Sequence, residues 1–207
     1  MKPEEHDLLQ HYFPTAAVEQ VGTLYEQRRF TLKFNRPRDS KLGDFRPPRS
    51  STSICHITLN CDLNPYQMLI TYVHEVAHYD VYQHYGTRSV QPHGKEWQEQ
   101  FTVLLLPFMK DSVFPKDVLE ALQNHLKHIK ASSSADLTLH RVLQHYDRKK
   151  SGNTIMVENL PEGARFALKN GLVFEKGEKQ RTRFKCRCEN NGRWYFVSAI
   201  AEVVAIT

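Results

Sequence analysis

Apolar residues recur along this chain at two periods, and each period predicts its own kind of element. Near the N-terminus the period is helical. Leu8, Leu9, Tyr12 and Phe13 form one stripe, and Ala17, Val18, Val21, Leu24 and Tyr25 form another beyond Pro14. Residues 30–34, FTLKF, alternate apolar and polar as a strand does, and SICHITLN at 53–60 reads as a second strand rich in β-branched residues. The stretch between them, NRPRDSKLGDFRPPRS, is rich in Pro and Arg and reads as a loop. A helix is predicted next, with Asn64 as its N-cap and Pro65 at its first position, where a missing N–H costs nothing. Leu69, Ile70, Val73, Val76, Ala77 and Val81 give it an apolar face that runs towards Gly86. HGKEWQEQFTVLLL forms another helix, stopped by Pro107, and PKDVLEALQNHLKHIK one more, with Val118, Leu122, Leu126 and Ile129 on one side.

ASSSAD at 131–136 reads as a break, and Ser134 is placed to cap the short helix LTLHRVLQHY. From Gly152 onward the period shortens to two, in short strands separated by Gly-containing turns: TIMVENLPEG, RFALKNG, LVFEKG, QRTRFKCRC, NNGRWYFV and AEVVAI. The fold class expected is therefore α+β. A helix-rich domain with a short sheet occupies 1–130, a linker with a short helix 131–152, and a small antiparallel β module 153–207.

Composition narrows this little. A chain of 207 residues can bury one core or one core plus a small module, and its charged fraction of 25% is ordinary for a folded protein. No run approaches the roughly 18 apolar residues of a membrane span, and MKPEEHDLLQ does not have the form of a signal peptide. A cytoplasmic protein without a membrane partner is the expectation. Cys55, Cys61, Cys186 and Cys188 are too few and too scattered for a disulfide framework, and CRC has C-x-C spacing with no second pair to complete a zinc ribbon. The net charge of +5 is compatible with a nucleic-acid partner without requiring one.

The informative chemistry lies in HEVAH, residues 74–78. On a helix, His74 and His78 stand about 40° apart around the axis and about 6 Å along it, so both imidazoles can face one metal ion. Glu75 is then placed to take a proton from a metal-activated water as general base rather than to bind the metal. A third ligand is needed, and the sequence offers several. His84 has the interval of an extended H-E-x-x-H-x-x-G-x-x-H pattern, but Val81 stands where that pattern needs glycine for a sharp turn. If the helix continues, His84 lies about 9 Å along and about 120° around from His78, out of reach. Glu96 and Glu99 on the next helix are a second option, although a solvated helix face accounts for both. His93 fits best: Pro92 disfavours helix at Gln91, Gly94 follows, and a histidine where a loop enters a helix can point back at the first helix in its neutral form.

HEVAH, His93 fifteen residues after His78 in HGKEWQEQF, ITLN just before the helix and LGDF upstream together resemble the SprT-like (Spartan-like) zinc metalloprotease family. The third zinc histidine of that family stands in an H-G-x-x-[WF] context. The likeness spans about residues 14–110, roughly half the chain. It implies a zincin-like domain with one Zn2+ per chain on His74, His78 and His93, Glu75 as catalytic base, and Trp97 at an aromatic position, for which packing is the simplest role. The implied activity is that of a zinc-dependent endopeptidase on a protein substrate, with DNA-associated proteins as the class the family points to. Many relatives carry paired C-x-x-C motifs in a C-terminal zinc ribbon; here a cysteine-poor β segment stands instead.

In that segment Arg181, Arg183, Lys185 and Arg187 alternate with Thr182, Phe184, Cys186 and Cys188, and Arg193, Trp194 and Tyr195 fall on the next strand. A basic strand face beside aromatic residues suits contact with nucleic acid such as DNA, and equally suits a solvated face over an apolar one. The competing reading of the whole chain is a non-catalytic nucleic-acid-binding or scaffold protein with a structural zinc. Tyr66, Tyr79 and the loop arginines are neighbours of the motif without an assigned role, and the oligomeric state is left open.

Overall fold

A computed structural model describes residues 3–38, 41–50, 53–86, 90–127, 129, 136–147 and 154–206. The chain divides into two compact units, Met1–Arg148 and Lys149–Thr207. The architecture is α+β: the described residues form six α-helices and two sheets, of three and six strands. No helix among the described residues is long and apolar enough to cross a membrane.

The first unit opens with α1 (Pro3–Tyr12) and α2 (Val18–Glu26), whose apolar stripes enter the core through Leu9, Phe13, Ala17, Val18 and Val21. Three strands follow, β1 (Phe30–Asn35), β2 (Gly43–Arg46) and β3 (Cys55–Asn60). β3 is central, parallel to β1 with Phe30 opposite Cys55 and antiparallel to β2 with Phe45 opposite Ile57. β2 lies inside the Pro- and Arg-rich stretch expected to be loop. Four residues, GDFR, carry no alternation of their own; pairing with β3 draws them into the sheet.

Beneath the sheet runs α3 (Pro65–Tyr85), and its start follows the expected chemistry. Asn64 accepts from the Gln67 N–H at 2.9 Å, Pro65 takes the first position, and Gly86 (φ 66°) closes the C-terminus. One expectation fails. From Gln67 to Tyr79 nearly every residue is buried, not only those of one face. The helix is packed by the sheet on one side and by α4 (Lys95–Leu105) on another, so its polar members have to find partners inside. Thr71 bonds the Gln67 carbonyl at 2.7 Å, and Asp80 receives Arg28 bidentately at 2.7 Å together with Gln100 at 2.7 Å.

The last helices, α5 (Lys116–Lys127) and α6 (Leu137–Gln144), close the core. Leu139 and Leu143 of α6 are fully buried in it, and the Asn64 side chain donates to Leu143 O at 2.9 Å and to Asp147 at 2.7 Å. The helix expected within a linker at 131–152 is thus part of the first unit. Its cap is Asp136, which accepts from the N–H groups of Thr138 and Leu139; Ser134 lies outside the described residues.

The second unit is one antiparallel sheet of β4 (Thr154–Met156), β5 (Arg165–Ala167), β6 (Val173–Gln180), β7 (Arg183–Cys188), β8 (Trp194–Ser198) and β9 (Glu202–Ile206) in the order β4-β9-β5-β6-β7-β8. Its inner face buries Phe166, Phe174, Phe184, Cys186, Cys188, Val197 and Val203. All four cysteines are free thiols.

Candidate metal centre

His74 and His78 stand one turn apart on α3, and their Nε2 atoms are 3.1 Å from each other. His93 brings its Nε2 to 3.0 Å from that of His78 and 3.1 Å from that of His74. Three acceptor nitrogens thus form a nearly equilateral triangle. Imidazoles cannot satisfy one another mutually in such a triangle, since each neutral ring has one N–H and one lone pair. A single cation in front of them satisfies all three. Among the described residues, these three are the group of potential ligands that converges in this way.

Local chain geometry accounts for each position. The two α3 histidines owe theirs to the helical period. His93 adopts φ 61°, the left-handed region that residues other than glycine seldom enter, immediately before Gly94, the N-cap of α4. The turn is held by Gly94 N–H donating to Gln91 O at 2.8 Å and by the Gln98 side chain donating to His93 O at 3.0 Å. Trp97, 1% exposed, stands behind all three rings at centroid distances of 4.6, 5.4 and 4.7 Å and stacks on Phe101 at 5.0 Å. Its indole N–H donates to His74 O at 3.3 Å. The expected packing role of Trp97 is therefore specific: it forms the wall against which the imidazoles rest.

Burial is the main electrostatic fact of the site. It holds His74 well below the ordinary histidine range, with His78 and His93 adding like-charge repulsion; it pushes His78 down to about 4 and lowers His93 as well. All three are neutral near pH 7, the form in which an imidazole binds metal. Glu75 is 6% exposed, and burial, followed by repulsion from Asp44, raises its carboxyl to about 8. The Phe45 backbone N–H donates to it, and Arg38 and Lys41 favour its charged form, but these are the smaller effects.

Gly43 completes the cradle of Glu75. A Cβ there would stand 2.6 Å from Glu75 Oε1 and 2.8 Å from both Glu75 Cγ and Thr71 Cγ2. β2 can lie this close to α3 because the side chain is missing. Beside it, Asp44 is gripped by Lys41 at 2.7 Å and Arg46 at 2.5 Å, which hold its carboxyl below the usual range against the opposing effect of burial. Arg38 is tied to Asn60 Oδ1 at 2.8 Å and to Thr58 Oγ1 at 3.2 Å. None of this β2 environment was assigned from residue type. The signal available was the glycine in LGDF, but its contact with Glu75 exists only once the sheet is built.

Other candidates fall away from the triangle. α3 continues through Val81, so His84 ends on its exposed last turn. Glu99 is exposed and 3.8 Å from Lys95, and Glu96 does not join the converging group. Tyr79 is buried with its hydroxyl accepting from Arg29 N–H at 3.1 Å, and Tyr66 packs edge-on to Tyr146. In the second unit Arg183, Lys185 and Arg187 lie on one face of β7 as expected. Arg181 does not: it sits at φ 53° in the turn between β6 and β7. The chain matches no family model, no curated protein and no solved structure.

Proposed function

We propose that this chain is a zinc-dependent endopeptidase of the SprT-like type. The observation that carries the reading is the triangle of three His Nε2 atoms at 3.0–3.1 Å with a buried carboxylate, Glu75, adjoining His74 on the same helix. Tetrahedral ligands at Zn–N bonds of about 2.0–2.1 Å stand about 3.3–3.4 Å apart, close to the spacing found, and three neutral nitrogens with no fourth ligand converging among the described residues match a catalytic rather than a structural donor set. Bound there, zinc would supply Lewis acidity, lowering the pKa of a water and polarising a peptide carbonyl.

The remaining steps belong to the chain. His74, His78 and His93, neutral near pH 7, would hold the ion. Glu75, kept from bulk solvent and oriented by the Phe45 N–H, takes the proton of the attacking water and passes it to the leaving amine. Without a metal, burial raises that carboxyl to about 8; a cation held by the three histidines would favour its charged form, in which it can accept a proton. The likeness of HEVAH, ITLN and HGKEW to the SprT-like pattern points to proteins associated with DNA as substrates.

The test combines elemental analysis with proteolysis of an unfolded protein substrate. One zinc per chain is expected in wild type and in His84→Ala, and none in His93→Ala. Glu75→Gln should keep its zinc and lose about 10²–10⁴-fold in hydrolysis, the range of a general base. Zinc retained in His93→Ala would refute the site. Full hydrolysis by Glu75→Gln would refute the mechanism and leave a structural zinc in a binding protein.

A further inference from the structure

We propose that the outer face of β7 and β8 in the second unit is a platform for single-stranded nucleic acid. The inference stands apart from the protease reading and uses none of its residues. Phe184, Cys186 and Cys188 of β7 and Val197 of β8 point into the core, so the alternate positions Arg183, Lys185 and Arg187 share the outer face. Across the strand pair, Lys185 stands opposite Phe196 and Arg187 opposite Trp194. Both aromatic residues are largely bare, at 57% for Trp194 and 54% for Phe196, on the outermost strand of the sheet. A folded domain leaves few large aromatics in that state without a use for them.

The cations are equally uncommitted. Arg183, Lys185 and Arg187 make no ion pair among the described residues. Lys185 instead lies over the Trp194 ring, its Nζ 5.0 Å from the centroid. The indole reaches across β7, and its edge comes to 3.8 Å from the point where a Cβ of Gly177 on β6 would stand. What requires glycine there is the Lys185 carbonyl oxygen, which a Cβ would strike; the ring itself lies along the sheet at ordinary contact distance. The acidic residues Glu175 and Glu178 are on β6, the far side of β7 from β8, and Glu175 faces Arg187. The basic and aromatic groups therefore meet on the β7–β8 half.

Two features select the ligand. Trp194 and Phe196 are two strand positions apart, about 6.8 Å. That is about twice the 3.4 Å separation of stacked bases in a duplex. Rings so spaced suit bases splayed from an extended single strand, whereas a duplex hides its base faces inside the stack. A protein partner settling on the rings would bury Arg183 and Lys185 without counter-charges, since Glu175 faces only Arg187, and that is costly; a nucleic acid brings phosphates for the cations and a base for each ring.

The experiment titrates the full-length protein into a fluorescein-labelled oligo(dT) 20-mer and follows anisotropy across a salt series, with a duplex of equal length as comparison. Trp194 is the exposed one of the two tryptophans, so quenching of its emission is a second, variant-free readout. Binding to the single strand should weaken about tenfold or more in Trp194→Ala/Phe196→Ala, as expected for losing base stacking. In Arg183→Gln/Lys185→Gln/Arg187→Gln the slope of log affinity against log salt should fall by about 2, as three released phosphate contacts require. Thermal unfolding should be unchanged in both, since the substituted residues face solvent. Glu75→Gln and His93→Ala should bind as wild type, which keeps this outcome separate from that of the protease reading. Absence of binding, equal or tighter binding to the duplex, an intact affinity after removal of both rings, or unquenched tryptophan emission on saturation would each overturn the proposal. So would self-association in light scattering that disappears with Phe196→Ala, because the face would then belong to a second copy.

Discussion

Gly43 offers the sharpest test of how the candidate centre is built. Replacing it with alanine adds one carbon at 2.6 Å from Glu75 Oε1 and 2.8 Å from Thr71 Cγ2. Non-bonded carbons rest at about 3.5–4.0 Å, so roughly 1 Å has to be found, either by Glu75 swinging away or by β2 lifting off α3. Either movement breaks the bond from the Phe45 N–H that orients the carboxylate. A misplacement of about 1 Å in a catalytic group costs on the order of 10²-fold, or about 2.7 kcal/mol of barrier. Overpacking should cost stability by about 1–3 kcal/mol as well. The three histidines belong to α3 and the turn before α4, so metal content should be unchanged. If the proposed function holds, peptide hydrolysis, zinc content and urea unfolding measured on the same preparation should place the loss in kcat, because a base at Glu75 would act in the transition state. Gly43→Ala/Thr71→Ser separates the causes: it removes the Thr71 methyl while keeping the hydroxyl bond to Gln67 O. Stability should partly recover and kcat should not. Wild-type kcat in Gly43→Ala at equal zinc content would refute the idea that β2 positions Glu75.

Three further outcomes follow from the packing and the charges. In metal-free Glu75→Gln, His78 moves from 6.5 in the unfolded chain to about 4 in the folded one; its contribution is complete above 6.5 and lost as pH falls through about 4, on the order of 3 kcal/mol, so urea midpoints should drop steadily over that window. With Glu75 intact the carboxyl acts in the opposite sense, its contribution being complete below 4.5 and lost as pH rises through about 8, so a flatter profile is expected there. Trp97→Ala leaves a void behind the three imidazoles and should cost about 3–5 kcal/mol in denaturant unfolding, with weaker retention of zinc against a chelator. Asn64→Ala removes a helix cap and the side-chain tie to α6, while Leu143 O keeps the Tyr146 N–H at 3.0 Å, so a loss of about 1–2 kcal/mol is expected by the same unfolding assay.

Local periodicity settled the elements that owe their form to near neighbours. A 3.6-residue period places His74 and His78 on one side of α3 whatever surrounds it, and Asn64-Pro65 and Gly86 bound that helix through backbone chemistry carried by those residues themselves. The alternation in β7 separates Arg183, Lys185 and Arg187 from the core in the same way. Long-range contact decided the rest. β2 is a strand because β3 lies beside it, α3 is buried on nearly all sides because sheet and helices close around it, and α6 joins the first unit through Leu139, Leu143 and the reach of Asn64. His93 shows the division within one residue. Pro92 and Gly94 mark a turn in the sequence, but the left-handed φ of 61° and the 3.0 Å approach to His78 arise only when α4 docks on α3. Glu75 shows it more sharply. Its identity announces a base, whereas its rise to about 8 is set by burial, by Asp44 and by a glycine thirty-two positions earlier. Proton affinity and coordination depend on desolvation and on the convergence of distant chain segments, quantities that exist only in the folded state.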